Sequence, residues 1–178
     1  MIEQIQAELG NFIVSNLIAL VLVLFASTRP KIARFFFSFF FFGAGIWNLF
    51  ASLTMPAFYV ATYGPVATPP YAAFINGPFA AMPALFVVPI AIGQLAIGIL
   101  ATGTGSWVRL SMLGSAIFLA AIAPMGVGAA FPFSLFGILA AFLLFRRPFT
   151  TTLYEDLGAI LPVIGHPANP RGHSRRHG

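Results

Sequence analysis

The chain has 178 residues, 59% of them hydrophobic and 7% charged, with a net charge of +5 and a mean hydropathy of +0.93. Soluble domains carry about 25% charged residues, so a water-soluble fold of this size is excluded: it could not cover its surface. The absence of cysteine excludes disulfides, thiolate metal sites and dithiol redox relays on this chain. The basic charge sits in separate islands and not along a groove or helix face, which argues against nucleic acid as a partner.

A bilayer core of about 30 Å needs about 20 apolar residues in helical form. Residues 11–27 are the first such span, ending where Arg29, Pro30 and Lys31 combine charge with a helix breaker. The acidic N-terminus lacks the basic region and cleavage site of a signal peptide, so this helix is expected to be retained. The second span, 35–55, opens on a dense run of phenylalanines that surround their helix and must meet lipid, pigment or a partner subunit. The third is 83–103. The uncharged stretch 110–145 is long enough for two more, and the turn signal Pro124-Met125-Gly126-Val127-Gly128 splits it into 107–123 and 129–145. The expected fold is therefore all-α: an integral membrane bundle of five transmembrane helices over residues 1–150.

Five spans also satisfy the positive-inside rule. With the N-terminus outside, the cations Arg29, Lys31, Arg34, Arg109, Arg146 and Arg147 all fall on the cytoplasmic side of a cell (inner) membrane, as contacts for lipid headgroups. Beyond them, residues 151–178 read as a cytoplasmic interfacial helix and a basic tail. Thr152 and Glu155 fit a capping box, and Leu153, Leu157 and Ile160 or Leu161 share one face. The tail's three histidines are open to metal or simply solvated near anionic lipid.

The uncharged outer loop 56–82 combines five prolines with Tyr59, Tyr63, Tyr71 and three phenylalanines. Aromatic residues favour the headgroup layer, so the loop reads as a cap over the helix ends, a contact surface for a partner or ligand, or an interfacial segment without a ligand. Inside the spans there is no Asp, Glu, Lys, Arg or His by these boundaries, and hence no catalytic constellation or metal site. What remains is Asn48 beside Trp47 in the second span and Gln94 in the third, after Pro89. These amides suit a helix–helix link or a ligand site such as a quinone headgroup. Ala116 with Ala120, and Gly93, Gly98 and Gly114, mark places where helices can approach closely.

GAGIWN in the second span, the aromatic-proline outer loop, and PIAIGQLAIGILATGTGSWVRL with its following hydrophobic helix make residues 35–147 resemble the DoxX-like family of small bacterial membrane proteins. That resemblance implies a four-helix core with both ends cytoplasmic, the first helix being an addition, and a link to quinone-dependent membrane redox complexes. Family members often carry an acid where this chain has Gln94. Taken together, the residues point to a non-catalytic accessory or structural subunit of a larger membrane complex. Its partners would be membrane lipids and other membrane subunits, and it would carry no cofactor of its own beyond possible contact with quinone, lipid or pigment. The alternative is a DoxX-like quinone-linked redox component.

Overall fold

The computed structural model describes residues 9–126 and 130–160. Five long helices dominate them: α1 (Leu9–Thr28), α2 (Pro30–Thr54), α5 (Pro83–Leu100), α6 (Ser106–Ile122) and α7 (Phe133–Phe145). Between α2 and α5 lie the short helices α3 (Ala57–Tyr63) and α4 (Pro69–Phe74), the latter running into a π-helical turn, Ile75–Phe79. Helix α8 (Leu153–Ile160) follows α7. Pro30–Thr54, Pro83–Leu100 and Ser106–Met125 are long and apolar enough to cross a membrane; Phe12–Thr28 and Phe133–Phe145 are shorter apolar helices. The basic tail and its histidines lie outside the described residues.

Two boundaries differ from expectation for local reasons. The second long helix starts at Pro30, five residues before the expected 35, because a proline in the first turn opens a helix as readily as one further on ends it. Its chain entry takes a single residue, Arg29, so α1 turns directly into α2. The last long helix starts at Phe133 and not at 129, after Pro132 at its N-cap. The turn before it uses Gly126 at φ +105, where a side chain would also overlap the carbonyl oxygen of Val66. Only glycine meets both demands.

The long helices close a ring in which α1 packs on α2, α2 on α5, α5 on α6, α6 on α7 and α7 back on α1. What faces inward is small: Ala19, Ala26, Ala33, Ala91, Ala101, Ala140 and Ala141 are buried, with Phe37, Phe41, Met112, Leu119 and Leu144 filling the centre. What faces outward is large, including Leu17, Phe39, Trp47, Leu53, Ile92 and Ile117. Soluble proteins sort these residue types the other way. Small residues inside and bulky apolar ones outside are what a bundle in lipid requires, because lipid solvates the exterior and close packing holds the helices. These features point to a membrane protein.

The uncharged segment 56–82 folds into a second, smaller core over the ends of α2 and α5. Tyr59, Ile75 and Phe79 are buried there against Ala51 and Val87. Its far side is tied to the end of α6: the Thr68 backbone N–H and hydroxyl both donate to the Pro124 carbonyl, and the Tyr71 hydroxyl donates to that of Ala121 at 2.9 Å. The segment expected as a loop is thus a folded cap.

Candidate functional site

Polar side chains gather at two levels of the bundle. At the cap end, the Asn48 amide donates to Gln94 Oε1 at 2.7 Å, joining α2 to α5. The Tyr59 hydroxyl donates to Asn48 Oδ1 at 3.0 Å, joining both to the cap. Gln94 is 2% exposed. Both amides were legible in the sequence as polar groups in apolar helices, and the structure brings them together. Trp47, their neighbour in sequence, points outward, with its ring edge-on to Phe58. Tyr63 stacks at an angle beside Tyr59, while Tyr71 lies across the cap on α6. All three tyrosines thus belong to the packed core of the cap, Tyr59 bonded toward α2 and Tyr71 toward α6.

Burial, and then the neighbouring Tyr63, push the Tyr59 phenol from its ordinary 10.0 up to about 12. A raised acid contributes its full stabilisation below the unfolded value and loses it as pH rises through the folded one. Thermal melts of the detergent-extracted protein should therefore weaken between pH 10.0 and about 12. Tyr59→Phe should reduce that alkaline phase, leaving the part carried by Tyr63, whose phenol is also raised by burial. It should cost about 1 kcal/mol at neutral pH, the usual net worth of one hydrogen bond.

At the opposite end sits a site that sequence reading misplaced. Arg34, expected among headgroup cations, has no exposed surface. Its Nε donates to the Ala101 carbonyl at 2.6 Å, Nη2 to those of Thr102 and Gly103, and Nη1 to Thr151 at 2.9 Å and to Asp156 Oδ2 at 3.4 Å. Five N–H donors meet five acceptors, and the Phe149 ring lies 4.9 Å from the guanidinium carbon. Three of those acceptors are carbonyls at the C-terminal end of α5, where a helix leaves acceptors unused and carries partial negative charge. A cation is suited to that place. Because α2 begins at Pro30, Arg34 lies inside the helix and is turned toward α5.

Asp156 completes the cluster. Its Oδ1 accepts from Lys31 Nζ and from the Thr151 hydroxyl, each at 2.7 Å. Helix α8 is therefore pinned to the bundle by its buried acid as well as by Leu153, whose backbone N–H donates to the Thr102 carbonyl. The capping box forms at its start: the Thr152 N–H donates to Glu155 Oε2 at 2.7 Å, and the Glu155 N–H returns a bond to the Thr152 hydroxyl. Burial pushes the Asp156 pKa up, but the bonds from Lys31 and Thr151 and the charges of Lys31 and Arg34 outweigh it, so the carboxyl titrates below its ordinary 3.8. Its contribution is complete above 3.8 and disappears as pH falls through the lowered folded value. Hydrogen exchange in α8 should thus be flat with respect to structure at neutral and mildly acidic pH, with opening only on the acid side of the ordinary carboxylate range.

The remaining cations differ in what they touch. Arg147 donates to the Ser27 carbonyl at 2.9 Å, locking the end of α7 to that of α1. Arg146 lies over the Phe142 ring, 5.6 Å from its centroid. Arg29 and Arg109 are exposed. Two shallow apolar grooves mark the outer surface. One of about 690 Å³ runs between α2 and α5 below the cap, past Ser52, Leu53, Val88 and Pro89; the other, of about 400 Å³, lies between α6 and α7 at the basic end. Among the described residues no group of His, Asp or Glu is placed to hold a metal ion. No protein-family model, curated protein or solved structure matches the chain.

Proposed function

We propose that this chain is a non-catalytic accessory subunit of a larger membrane protein complex, crossing an inner membrane five times with its N-terminus outside and its basic end cytoplasmic. The observation that carries this reading is how its polar side chains are used. Arg34, Asp156, Asn48, Gln94 and Tyr59, together with Ser38 and Ser111 bonded to the carbonyls of Gly98 and Ile97, hold the protein's own helices together. A protein whose interior polarity is spent on its own scaffold acts through its surface. Phe36, Phe39, Phe40, Trp47 and Phe50 on one side of α2 give that surface a rigid aromatic stripe. Gathering the cations of the α1–α2 turn, the start of α6 and the end of α7 at one end supports the orientation. Helix α7 alone, at about 20 Å, falls short of a full bilayer crossing and would need local thinning or partner contacts. Extraction in a mild detergent followed by native mass measurement tests the proposal: co-migrating subunits are expected, and a lone monomer would refute it.

The groove below the cap supports a second reading, the DoxX-like one, in which an apolar quinone lies along Val88 and Pro89 against Ser52, one helical turn from Asn48 and its bond to the buried Gln94. Gln94→Leu would then abolish quinone-linked turnover in native membranes while leaving the helices folded. Undiminished turnover in a folded Gln94→Leu protein removes this reading.

A further inference from the structure

The groove at the basic end points to a specific ligand. It is lined by Ser106, Trp107, Arg109, Leu110, Leu113 and Phe145. Along α6 these residues descend from the helix start: Ser106, Trp107 and Arg109 in the first turn, Leu110 and Leu113 in the next. The groove therefore runs about 10 Å from the basic end into the apolar zone, between α6 and the end of α7. Polar groups stand only at the groove's mouth, where Ser106 and Arg109 flank an indole that is 59% exposed and Phe145 closes the end of α7; carbon dominates the exposed lining throughout, and Leu110 and Leu113 lie below. An apolar groove with a cation at its mouth matches a phospholipid better than a soluble anion or an uncharged apolar metabolite.

Charge selects among phospholipids. Lys31 and Arg34 are committed to Asp156, Arg147 to the Ser27 carbonyl and Arg146 to the Phe142 ring, while Arg29 is exposed outside the groove's lining. Arg109 stands exposed at the mouth of the groove, one turn above Leu113. A guanidinium presents paired donors that suit a phosphate, and basic pockets between transmembrane helices on the cytoplasmic side recognise anionic headgroups. We infer that the α6–α7 groove holds one anionic phospholipid, its phosphate on Arg109 between Trp107 and Phe145 and one acyl chain along Leu110 and Leu113. The inference rests on the proposed orientation, which puts this end at an anionic leaflet, and not on membership of a complex.

Purified full-length protein, equilibrated in detergent with equal phosphatidylglycerol and phosphatidylethanolamine, gives a test by native mass spectrometry. One phosphatidylglycerol should be retained about fivefold over phosphatidylethanolamine, the ratio one exposed cation supplies. Arg109→Gln should bring the two lipids level, and Arg109→Lys should restore most of the preference. Leu113→Trp, which fills the groove, should lower retention of phosphatidylglycerol. Ile117→Trp, one turn deeper and exposed outside the groove, should leave it unchanged. Equal retention of both lipids by the wild type overturns the site. So does an unaltered preference in Arg109→Gln, or equal loss in the two tryptophan variants. A monomer that keeps its phosphatidylglycerol would refute the accessory-subunit proposal and leave this one standing.

Discussion

Arg34→Met is expected to cost about 3–5 kcal/mol, the range for removing one partner of a buried ion pair. Methionine fills a similar volume, so the loss isolates the guanidinium's bonds from its packing against Phe149. Its removal leaves the carbonyls of Ala101, Thr102 and Gly103 without their donor and leaves Asp156 with Lys31 as its remaining cation. Thermal melts in detergent would read the loss. Hydrogen exchange would localise it, with rates rising first in residues 151–160, because Arg34 is what ties Thr151 and Asp156 to α2 and α5. Arg34→Lys should recover only part of the stability: an ammonium offers three donors from one point, while the acceptors here are spread around a planar fork.

Two controls separate this account from a general charge effect. Arg29→Met removes the same charge one turn away, from an exposed position, and should change stability by no more than about 0.5 kcal/mol. The double variant Arg34→Met with Asp156→Asn should lose less than the sum of its single variants, because removing both charges leaves neither one buried alone. If Arg29→Met and Arg34→Met melt alike, the buried cluster does not hold the basic end together.

The contrast between Arg34 and the Asn48–Gln94 pair shows what the sequence could convey. Two amides in otherwise apolar helices announce themselves, since an unsatisfied amide in hydrocarbon is costly and must find a partner nearby. Arg34 gives no such signal. It follows Arg29 and Lys31 so closely that all three read as one cationic island at a membrane edge, and its acidic partner lies 122 residues away. Burial of the pair depends on a helix starting at Pro30 and on α8 folding back, neither of which hydropathy reports. The cap was half legible for a similar reason. Its aromatic content and missing charge marked it as buried or interfacial, but prolines that suggested a loop, Pro69 above all, sit in the first turn of a helix and start it. Helix existence and approximate extent followed from apolar length alone, whereas the ring order of the helices needed the contacts between them.

Gly98 should be a sensitive glycine where α2 crosses α5. A Cβ built there lies 2.8 Å from the backbone nitrogen of Phe42 and 2.9 Å from its Cβ, so α2 and α5 touch almost backbone to backbone at this level. Gly45, nearby on α2, meets Leu95 and the Ala91 carbonyl as closely. No flexible side-chain tip can swing away at Gly98; the helices themselves must part. Alanine adds helix propensity worth about 1 kcal/mol, but overpacking costs of about 1–3 kcal/mol oppose it. Gly98→Ala should therefore be destabilising, and Gly98→Val more so, since its extra methyl groups add to the same overlap and valine forfeits most of the helical gain. Parting α2 from α5 would also stretch the Ser38 bond to the Gly98 carbonyl, 2.8 Å, and the Asn48–Gln94 bond one turn and more away. Gly93, on the same helix, has nothing within 4 Å of the added carbon. Gly93→Ala should thus be stabilising or neutral, and the ordering of melting temperatures Gly93→Ala, then Gly98→Ala, then Gly98→Val measures how much of the bundle depends on this one close crossing. Equal melting of Gly93→Ala and Gly98→Val would mean that the helices separate at no cost, and that the amide pair and Arg34 alone hold α2 to α5.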